Sequence, residues 1–454
     1  MAQSPPGYSQ QQSSRYDVPA EALTLENAQD TRFRLTPDAL ILAIAGIFLL
    51  TNTAALALVR GGISPRDIAI VVVWATCALI GRRLLVTRLR QPDVLLFSLA
   101  MFLSGWGLVL INRLAAPFAE RQTLWLVIAV AGLLLVALTP RTLRLLRSFR
   151  YTLLVAGLAL LASTIIFGEN PSGLPAAPEL WLRFGDIYLQ PSEPLKIVLV
   201  VFLASYLAEQ YPALRAEGID THLRRIAMSP RVFGPILLMW SLSIVFLVWQ
   251  RDLGAAILFF AVFTILLYVA SGSALIVLSG AALIVFAGLV GYFAFDVVRL
   301  RVDVWLHPWP EAGGRAYQIV QSLMAFAAGG PFGQGIGQGL PTFIPVVHSD
   351  FAFAAIAEEW GLLGVITLIA CIAVLVTRGL KLALFQRGRP FNALLAVGLS
   401  AILATQSLLI MGGVLKLVPL TGVTLPFLSY GGSSLVTNFV LVGLLIRISV
   451  SEAA

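Results

Sequence analysis

Charged residues are scarce in this chain. Asp, Glu, Lys and Arg make up only 12% of its 454 residues, whereas soluble domains carry about 25%. Hydrophobic residues make up 58%, and a soluble fold of this length could not bury so much apolar surface. A bilayer accommodates it, because there the outward face of a protein is apolar as well. The composition excludes a soluble globular protein and predicts a membrane protein.

Cysteine and histidine are also rare. Cys77 and Cys371 both lie inside apolar runs, so no disulfide framework is indicated. His222, His307 and His348 lack the spacing of metal ligands. No segment has the pattern of a cleavable signal peptide, and residues 1–38, which open with a Gln-, Ser- and Pro-rich stretch, are predicted to form a disordered cytoplasmic tail.

Long apolar runs fill the rest of the sequence. A membrane-spanning helix needs about 17–25 mostly apolar residues, and twelve segments meet this requirement. They are 39–59, 63–81, 94–112, 123–140, 151–168, 192–209, 232–250, 252–271, 273–295, 350–377, 391–416 and 432–450. The predicted fold class is therefore an all-α polytopic membrane protein with about 12 transmembrane helices.

The basic residues set the predicted orientation, because cytoplasmic loops carry an excess of Lys and Arg. If the N-terminus is cytoplasmic, the inner segments hold about twice as many basic residues as the outer ones. The net charge of +8 then reflects membrane orientation and not nucleic-acid binding. Both termini are predicted to be cytoplasmic, and three long connections, 169–191, 296–349 and 417–431, are predicted to lie outside.

A polar cluster at Gln190–Lys196 marks the beginning of the sixth apolar run. Ser192 is a plausible helix N-cap, and Glu193 suits the positive end of the helix dipole, whereas Lys196 does not. One interpretation is a helix start with a lysine that snorkels outward. The other is a lysine that binds phosphate near the membrane interface, with Glu193 as its partner.

Two further clusters have structural alternatives of their own. Arg251 and Asp252 lie between two runs, where they could neutralise each other and cap the next helix. The Gly-rich segment 329–339 could bring backbone N–H groups close to phosphate. However, no Walker lysine follows it, and it does not join a strand to a helix, so a P-loop is excluded. A tightly turned outer loop is the alternative.

Three carboxylates occur at the beginning of the tenth run. Asp350 stands at an N-cap position, so capping would explain it as well as catalysis. Glu358 and Glu359 lie roughly 12–13 Å further along the helix. Ionisable residues at that depth are costly and are functional candidates, although a structural pair facing a buried partner is the alternative. The Thr-, Ser-, Gly- and Pro-rich segment 419–434 predicts irregular backbone packed against protein or a cavity.

In this order, the motifs resemble those of the SEDS family (shape, elongation, division and sporulation), whose members include RodA and FtsW. The resemblance covers about 160–450 and is most specific at 425–434, Leu-Pro-Phe-Leu-Ser-Tyr-Gly-Gly-Ser-Ser. The other matching pieces are Gln190–Glu193 with Lys196, Gln250–Gly254, Tyr317-Gln318 with Gln321-Ser322, the run from Gly329, His348–Phe351 and Glu358–Gly361.

The resemblance implies a peptidoglycan glycosyltransferase that polymerises lipid II, a disaccharide-pentapeptide on undecaprenyl diphosphate. Such enzymes act at the outer face of the cytoplasmic membrane, in cell elongation or division, with a class B penicillin-binding protein as transpeptidase partner. No organic cofactor is implied, and Mg²⁺ or Mn²⁺ is a candidate cation. Two alternatives stay open, a lipid II transporter (flippase) and a non-catalytic scaffold of the cell-wall synthesis complex.

The resemblance also divides the chain and assigns residues. Two extra N-terminal helices, 39–81, precede a core of ten helices, 82–454, and this addition favours a RodA-like member. The family's essential aspartate falls on Asp350, the expected general base, whose pKa burial or nearby carboxylates would raise. Expected substrate-binding residues are Glu193, Lys196, Asp252, Arg301, Gln321, His348, Ser429, Gly431, Gly432 and Ser433, with Lys196 and Arg301 as cations for the diphosphate and Glu358 and Glu359 as supporting carboxylates.

Three positions depart from the family's pattern. Leu180 stands where an Arg usually precedes the Trp, Arg251 replaces a Pro, and Val346 replaces a Glu in the stretch before His348. These departures concern the ligand contacts of three connections and not the family itself.

Overall fold

The protein is described by a computed structural model, which covers residues 36–170, 179–185, 187–219, 241, 245, 252–386 and 388–450. Its helices are α1 (Pro37–Arg60), α2 (Pro65–Arg88), α3 (Val94–Leu114), α4 (Ala116–Leu138), α5 (Thr142–Ser148), α6 (Arg150–Phe167), α7 (Ser192–Ile219), α8 (Leu253–Ser271), α9 (Ala274–Ala294), α10 (Asp296–Leu306), α11 (Tyr317–Gly329), α12 (Ala352–Phe385), α13 (Pro390–Val414) and α14 (Gly432–Val450).

Among the described residues, ten helices are long and apolar enough to cross a membrane, namely all of these except α5, α7, α10 and α11. The chain is therefore a mostly helical, multi-pass membrane protein, as predicted. The sixth predicted span coincides with the first part of α7. The seventh, 232–250, lies outside the described residues except for 241 and 245. The total of twelve spans and the orientation of the termini stay predictions.

Local sequence explains where several helices begin and end. Pro37, Pro65 and Pro390 occupy the first helical turn, where a missing N–H costs nothing. Ser64 and Asp67 form a capping box at the beginning of α2. α2 continues to Arg88, beyond the predicted end at 81. The predicted boundary between extra helices and core, at 82, therefore falls inside α2.

The two longest outer connections contain regular structure, which differs from the prediction. The connection 169–191 holds β1 (Gly168–Glu169), β2 (Trp181–Phe184) and β3 (Ile187–Leu189), paired antiparallel in that order. Leu182 pairs with Gly168 on one side and with Leu189 on the other. The connection 296–349 holds α10 and α11. An entirely α-helical fold was therefore wrong at the first connection, where short alternating segments flank a turn.

Burial divides the helices into two groups. α3, α13 and α14 are buried along most of their length, whereas α1, α2, α6 and α9 expose many apolar side chains. Lipid is as apolar as these side chains, so the exposed faces suit a bilayer. The segment 417–431 has no helix or strand, yet Leu425, Phe427 and Leu428 in it are buried. Irregular backbone thus enters the bundle, as the composition of this segment predicts.

The hairpin α1–α2 packs closely on the other helices. α1 lies against α3, and α2 lies against α3 and α4. Phe48 of α1 joins an aromatic cluster with Phe102, Trp106 and Trp360. Asn52 of α1 accepts a hydrogen bond of 3.0 Å from Trp360 Nε1 at the beginning of α12.

Candidate active site

Asp350 lies just before α12 and does not cap it. The N-cap of α12 is Phe351, and no side chain caps the helix there. The Asp350 carboxylate instead accepts a hydrogen bond of 2.7 Å from Ser349 Oγ. The capping alternative is therefore wrong, and the half-buried carboxylate remains available for chemistry.

Arg301 on α10 lies near Asp350, and both side chains approach the same glycine. Its Nη1 donates a hydrogen bond of 3.1 Å to the carbonyl oxygen of Thr421. A Cβ added at Gly422 would lie 3.8 Å from Arg301 Nη2 and 3.9 Å from Asp350 Oδ2. Gly422 also has φ +75°, which favours glycine. The absence of a side chain at Gly422 keeps the space between guanidinium and carboxylate open.

Burial sets the protonation behaviour of this pair. It raises the pKa of Asp350, while the Ser349 hydrogen bond and the charge of Arg301 act in the opposite direction. It lowers the pKa of Arg301, while the charges of Asp252 and Asp350 raise it. A carboxylate with a raised pKa is a stronger base than an exposed one, which suits proton abstraction near neutral pH.

Asp252 caps α8, as one of the two interpretations expected. Its Oδ1 accepts a hydrogen bond of 3.0 Å from the Ala255 N–H, and Ser192 Oγ donates to Oδ2 at 3.4 Å. Burial raises the pKa of Asp252, the Ala255 hydrogen bond lowers it, and the charge of Glu193 raises it. Asp252 thus connects the beginnings of α7 and α8. Arg251, its predicted partner, lies outside the described residues.

Lys196 is buried within the bundle. Its side chain is 4% exposed, and its Nζ lies 2.7 Å from Glu193 Oε2. The same Nζ donates a hydrogen bond of 2.9 Å to Gln406 Oε1 on α13. The outward-snorkelling alternative is therefore wrong, whereas the predicted pairing with Glu193 is present.

Gln406 extends this network to the irregular segment 419–434. Its Nε2 donates a hydrogen bond of 2.8 Å to the Thr424 carbonyl oxygen. Thr424 Oγ1 and Ser434 Oγ share a hydrogen bond of 2.8 Å. Ser433 Oγ accepts one of 3.0 Å from the Gln190 N–H. The segment is thus joined at several points to the beginning of α7.

The same segment also holds the residues before Asp350. Ser429 Oγ donates a hydrogen bond of 2.5 Å to the Ser349 carbonyl oxygen and accepts one of 3.0 Å from the Leu425 N–H. The Tyr430 N–H donates one of 2.8 Å to the His348 carbonyl oxygen. Segment 419–434 therefore connects the Glu193–Lys196 pair with the backbone beside Asp350.

His348 has an aromatic environment and stays neutral. Its ring centroid lies 5.1 Å from that of Phe118 and 5.8 Å from that of Tyr430. Burial lowers the pKa of His348, so the ring carries no charge at neutral pH. Among the two predicted glycines nearby, Gly431 donates its N–H to Gln122 at 3.4 Å, and a Cβ at Gly432 would lie 2.1 Å from Trp125.

Glu358 and Glu359 have structural partners. Glu358 Oε1 accepts a hydrogen bond of 2.7 Å from the Leu340 N–H. Glu359 Oε1 accepts one of 3.1 Å from the Gly337 N–H and lies 3.0 Å from Arg113 Nε on α3. Both carboxylates therefore bind the Gly-rich connection, which favours the structural alternative over a part in catalysis.

The Gly-rich connection packs against a break in α12 at Gly361, which has φ +65°. The N–H groups of Gln334 and Gly335 donate to the carbonyl oxygens of Glu358 and Glu359 at 2.9 and 3.0 Å. A Cβ at Gly333 would lie 2.3 Å from the Glu359 carbonyl oxygen, so the approach requires glycine. These amides bind α12, so this is the tightly turned loop that we gave as the alternative.

Sequence reasoning missed Gln406, which is central to the buried network. A signal was present, because Gln406 and Ser407 are polar residues inside a long apolar run. Gln321 was predicted to bind substrate and is half-buried on α11, and its side chain takes no part in the network among the described residues. Its neighbour Ser322 donates to the Val414 carbonyl oxygen at 3.1 Å.

In the described part of the chain, no group of three or more His, Cys, Asp and Glu side chains could hold a metal ion. The charges of Asp252 and Asp350 both raise the pKa of Arg301. Mg²⁺ is often bound by one or two carboxylates together with substrate phosphates. A divalent cation therefore stays a prediction, with these two residues as its candidate ligands.

Comparison with known proteins identifies the family. The family model described as cell cycle protein, FTSW_RODA_SPOVE, matches residues 89–454. The chain belongs to the RodA/FtsW/SpoVE family. It is 38% identical over 374 residues to the peptidoglycan glycosyltransferase RodA of Mycobacterium tuberculosis, which covers 79% of this chain and 78% of the relative. It is 32% identical over 375 residues to a probable FtsW of Pseudoalteromonas atlantica, covering 79% and 73%. The predicted family and the glycosyltransferase class are confirmed.

Solved structures share the fold. One chain of a peptidoglycan synthase complex that coordinates polymerization and crosslinking matches with a TM-score of 0.66 and 26% identity, covering 80% of this chain and 98% of its own length. RodA of Thermus thermophilus matches with a TM-score of 0.57 and 23% identity, covering 80% and 98%. The second likeness shows the fold alone.

Proposed function

We propose that this chain polymerises lipid II into peptidoglycan glycan strands at the outer face of the cytoplasmic membrane, with Asp350 as general base. The observation that supports this most is the space between Asp350 and Arg301. Asp350 is half-buried, is not used as a helix cap, and shares with the Arg301 guanidinium the space where a Gly422 side chain would lie.

The reaction needs a base on one side of the reacting centre and a cation on the other. A sugar hydroxyl attacks the anomeric carbon that carries the lipid diphosphate, and Asp350 accepts the hydroxyl proton. A new C–O bond forms as the bond to the diphosphate breaks, and undecaprenyl diphosphate leaves with the electron pair. Arg301 stabilises the negative charge that develops on the leaving group.

Lys196 has a positioning role in this proposal, in place of the direct diphosphate contact expected from the resemblance. Its charge is already neutralised by Glu193, and it donates a further hydrogen bond to Gln406. Separating a buried, hydrogen-bonded ion pair of this kind costs much free energy. The pair therefore holds segment 419–434, and with it the backbone beside Asp350.

The partner proposed is a class B penicillin-binding protein, which supplies the crosslinking step. The related solved complex couples polymerization with crosslinking, and a glycan polymer needs both. The lipid II transporter alternative loses its main support, because Glu358 and Glu359 bind the Gly-rich connection and Arg113.

The decisive experiment uses the purified chain with its partner and labelled lipid II. Glycan chains separated on a gel should form with the wild type and disappear with Asp350→Ala. The matched control is Asp296→Asn on α10, a fully exposed carboxylate whose loss should leave polymerisation intact. Polymerisation by Asp350→Ala would refute the general base. Transbilayer movement of lipid II in vesicles without any glycan product would instead support the transporter.

A further inference from the structure

A polar cavity lies at the end of the bundle opposite Asp350. It has a volume of about 310 Å³ and is formed by the α2–α3 connection, the last turns of α12 and the end of α14. Its polar lining includes Gln91, Asp93, Arg378, Lys381 and Ser449. None of these residues belongs to the site around Asp350, and the proposed reaction does not use them.

The cavity lies at the depth of lipid headgroups. Beyond its break at Gly361, α12 continues for 24 residues, 362–385, which is roughly 36 Å at 1.5 Å per residue, whereas the hydrocarbon core of a bilayer is about 30 Å thick. Arg378 and Lys381 are on the last two turns of α12, farthest from Asp350. The end of this helix therefore extends past the hydrocarbon into the polar region of the membrane.

Arg378 is held in place before any ligand binds. Its Nη1 lies 2.9 Å from both carboxylate oxygens of Asp93. Asp93 is itself fixed, because its backbone N–H donates a hydrogen bond of 3.1 Å to Ser449 Oγ on α14. Only one nitrogen of the guanidinium is used in this way, and the side chain is 42% exposed. Its other N–H donors can therefore reach an anion at the mouth of the cavity.

Lys381 adds a second, exposed cation. It follows Arg378 by three residues on α12, so both side chains lie on the same face of the helix. Asp93 is the single acidic residue in the cavity lining, and Arg88 and Arg90 immediately precede Gln91 in the chain. Positive charge is therefore in excess here, which attracts anionic lipid headgroups at a membrane surface.

Apolar side chains complete the lining. Phe385 is 56% exposed, and the Lys381 Nζ lies 5.7 Å from its ring centroid. A soluble anion gains nothing from an exposed ring, whereas the glycerol and upper acyl chains of a lipid do. The combination of two cations with apolar neighbours at headgroup depth therefore fits a phospholipid better than a free phosphate.

We propose that this cavity binds the phosphodiester headgroup of an anionic membrane lipid. Arg378 and Lys381 bind the phosphate oxygens, and Phe385 contacts the glycerol and the beginning of the acyl chains. The inference is independent of the proposed polymerase activity, because it rests on residues at the opposite end of the bundle.

The test measures lipid binding to the purified full chain by native mass spectrometry in detergent. The probes are phosphatidylglycerol, phosphatidylcholine and inorganic phosphate at matched concentrations. We expect phosphatidylglycerol to be retained in preference to phosphatidylcholine. Lys381→Gln should weaken its apparent affinity by about fivefold, the effect of one basic residue near an anionic surface. Lys381→Arg should restore it.

The matched control is Arg83→Gln, which removes one exposed positive charge on α2 without touching the cavity lining. Equal affinity for phosphatidylglycerol in Lys381→Gln and Arg83→Gln would overturn the site. So would equal retention of the two lipids by the wild type. Saturation by inorganic phosphate that displaces phosphatidylglycerol at equal concentration would overturn the lipid as the ligand. Melting temperatures of the variants establish that each is folded.

Discussion

Asp350 lies just before α12 and Glu359 within its first turns, yet their carboxylates have different surroundings. Glu359 is buried against Arg113 and the Gly337 N–H, and Glu358 beside it binds the Leu340 N–H. Asp350 accepts one hydrogen bond from its neighbour Ser349 and faces an open space. Glu358 and Glu359 use their carboxylates to bind backbone N–H groups, whereas among the described residues the Asp350 carboxylate binds only the side chain of its neighbour and can accept a proton. Burial alone therefore does not identify a catalytic carboxylate.

The largest predicted effect is the loss of polymerisation when Asp350, and not Glu359, is replaced. Asp350→Asn should reduce polymerisation by about 10²–10⁴-fold with little change in melting temperature, because it removes the base and keeps the shape. Glu359→Gln should chiefly lower the melting temperature, because it leaves the charge of Arg113 without its buried partner. Initial rates with labelled lipid II and thermal unfolding measure the two effects. A Glu359→Gln variant that is as stable as the wild type but inactive would contradict the structural role of Glu359.

Gly422→Ala tests the space between Asp350 and Arg301. The added methyl group would lie within contact distance of both side chains, so we expect polymerisation to fall by more than tenfold. Gly272→Ala is the matched control, because Gly272 has φ +73° and nothing within 4 Å of the added Cβ. Both variants carry the same backbone strain, about 1 kcal/mol. Equal activity of the two variants would show that the space is not used.

Gln406→Leu should reduce the maximal rate several-fold, because it separates the Glu193–Lys196 pair from Thr424. The Michaelis constant for lipid II should change less, since Gln406 does not touch the proposed substrate space. Gln406→Glu keeps an acceptor for Lys196 and loses the N–H donor to Thr424. Its rate therefore shows which of the two hydrogen bonds of Gln406 is needed. A variant that changes only the melting temperature would limit Gln406 to a structural part.

The smallest effect concerns pH. A general base must be deprotonated, so the rate should fall as the pH drops through the pKa of Asp350, which burial raises and Arg301 lowers. Arg301→Gln removes the lowering charge and should move the acid limb of the pH–rate profile to higher pH. Arg299→Gln, an exposed position on the same helix, is the control. A limb that stays in place in Arg301→Gln contradicts the electrostatic coupling.

Most of the helices could be predicted from the sequence, because spanning segments need long apolar runs whatever their neighbours are. The last predicted span, 432–450, coincides with α14. Predictions were poorer where partners decide the structure. The sheet at 168–189 forms through pairing of short segments, and in the part of α2 beyond its predicted end Arg82 pairs with Asp38 of α1 at 2.8 Å. Neither contact is visible in local hydropathy.

By itself, the amino-acid sequence determined that the chain crosses the membrane many times, that it has the motifs of its family, and that Asp350 ends a long connection. Hydropathy and motif order lie along the chain, so they need no partner. Only the tertiary structure decided which polar side chains have binding partners within the protein. Arg113 and Gly337 come from distant segments and bind the Glu359 carboxylate. Gly422 comes from another segment and has no side chain to fill the space beside Asp350. A carboxylate's chemistry depends on those neighbours, which only folding brings together.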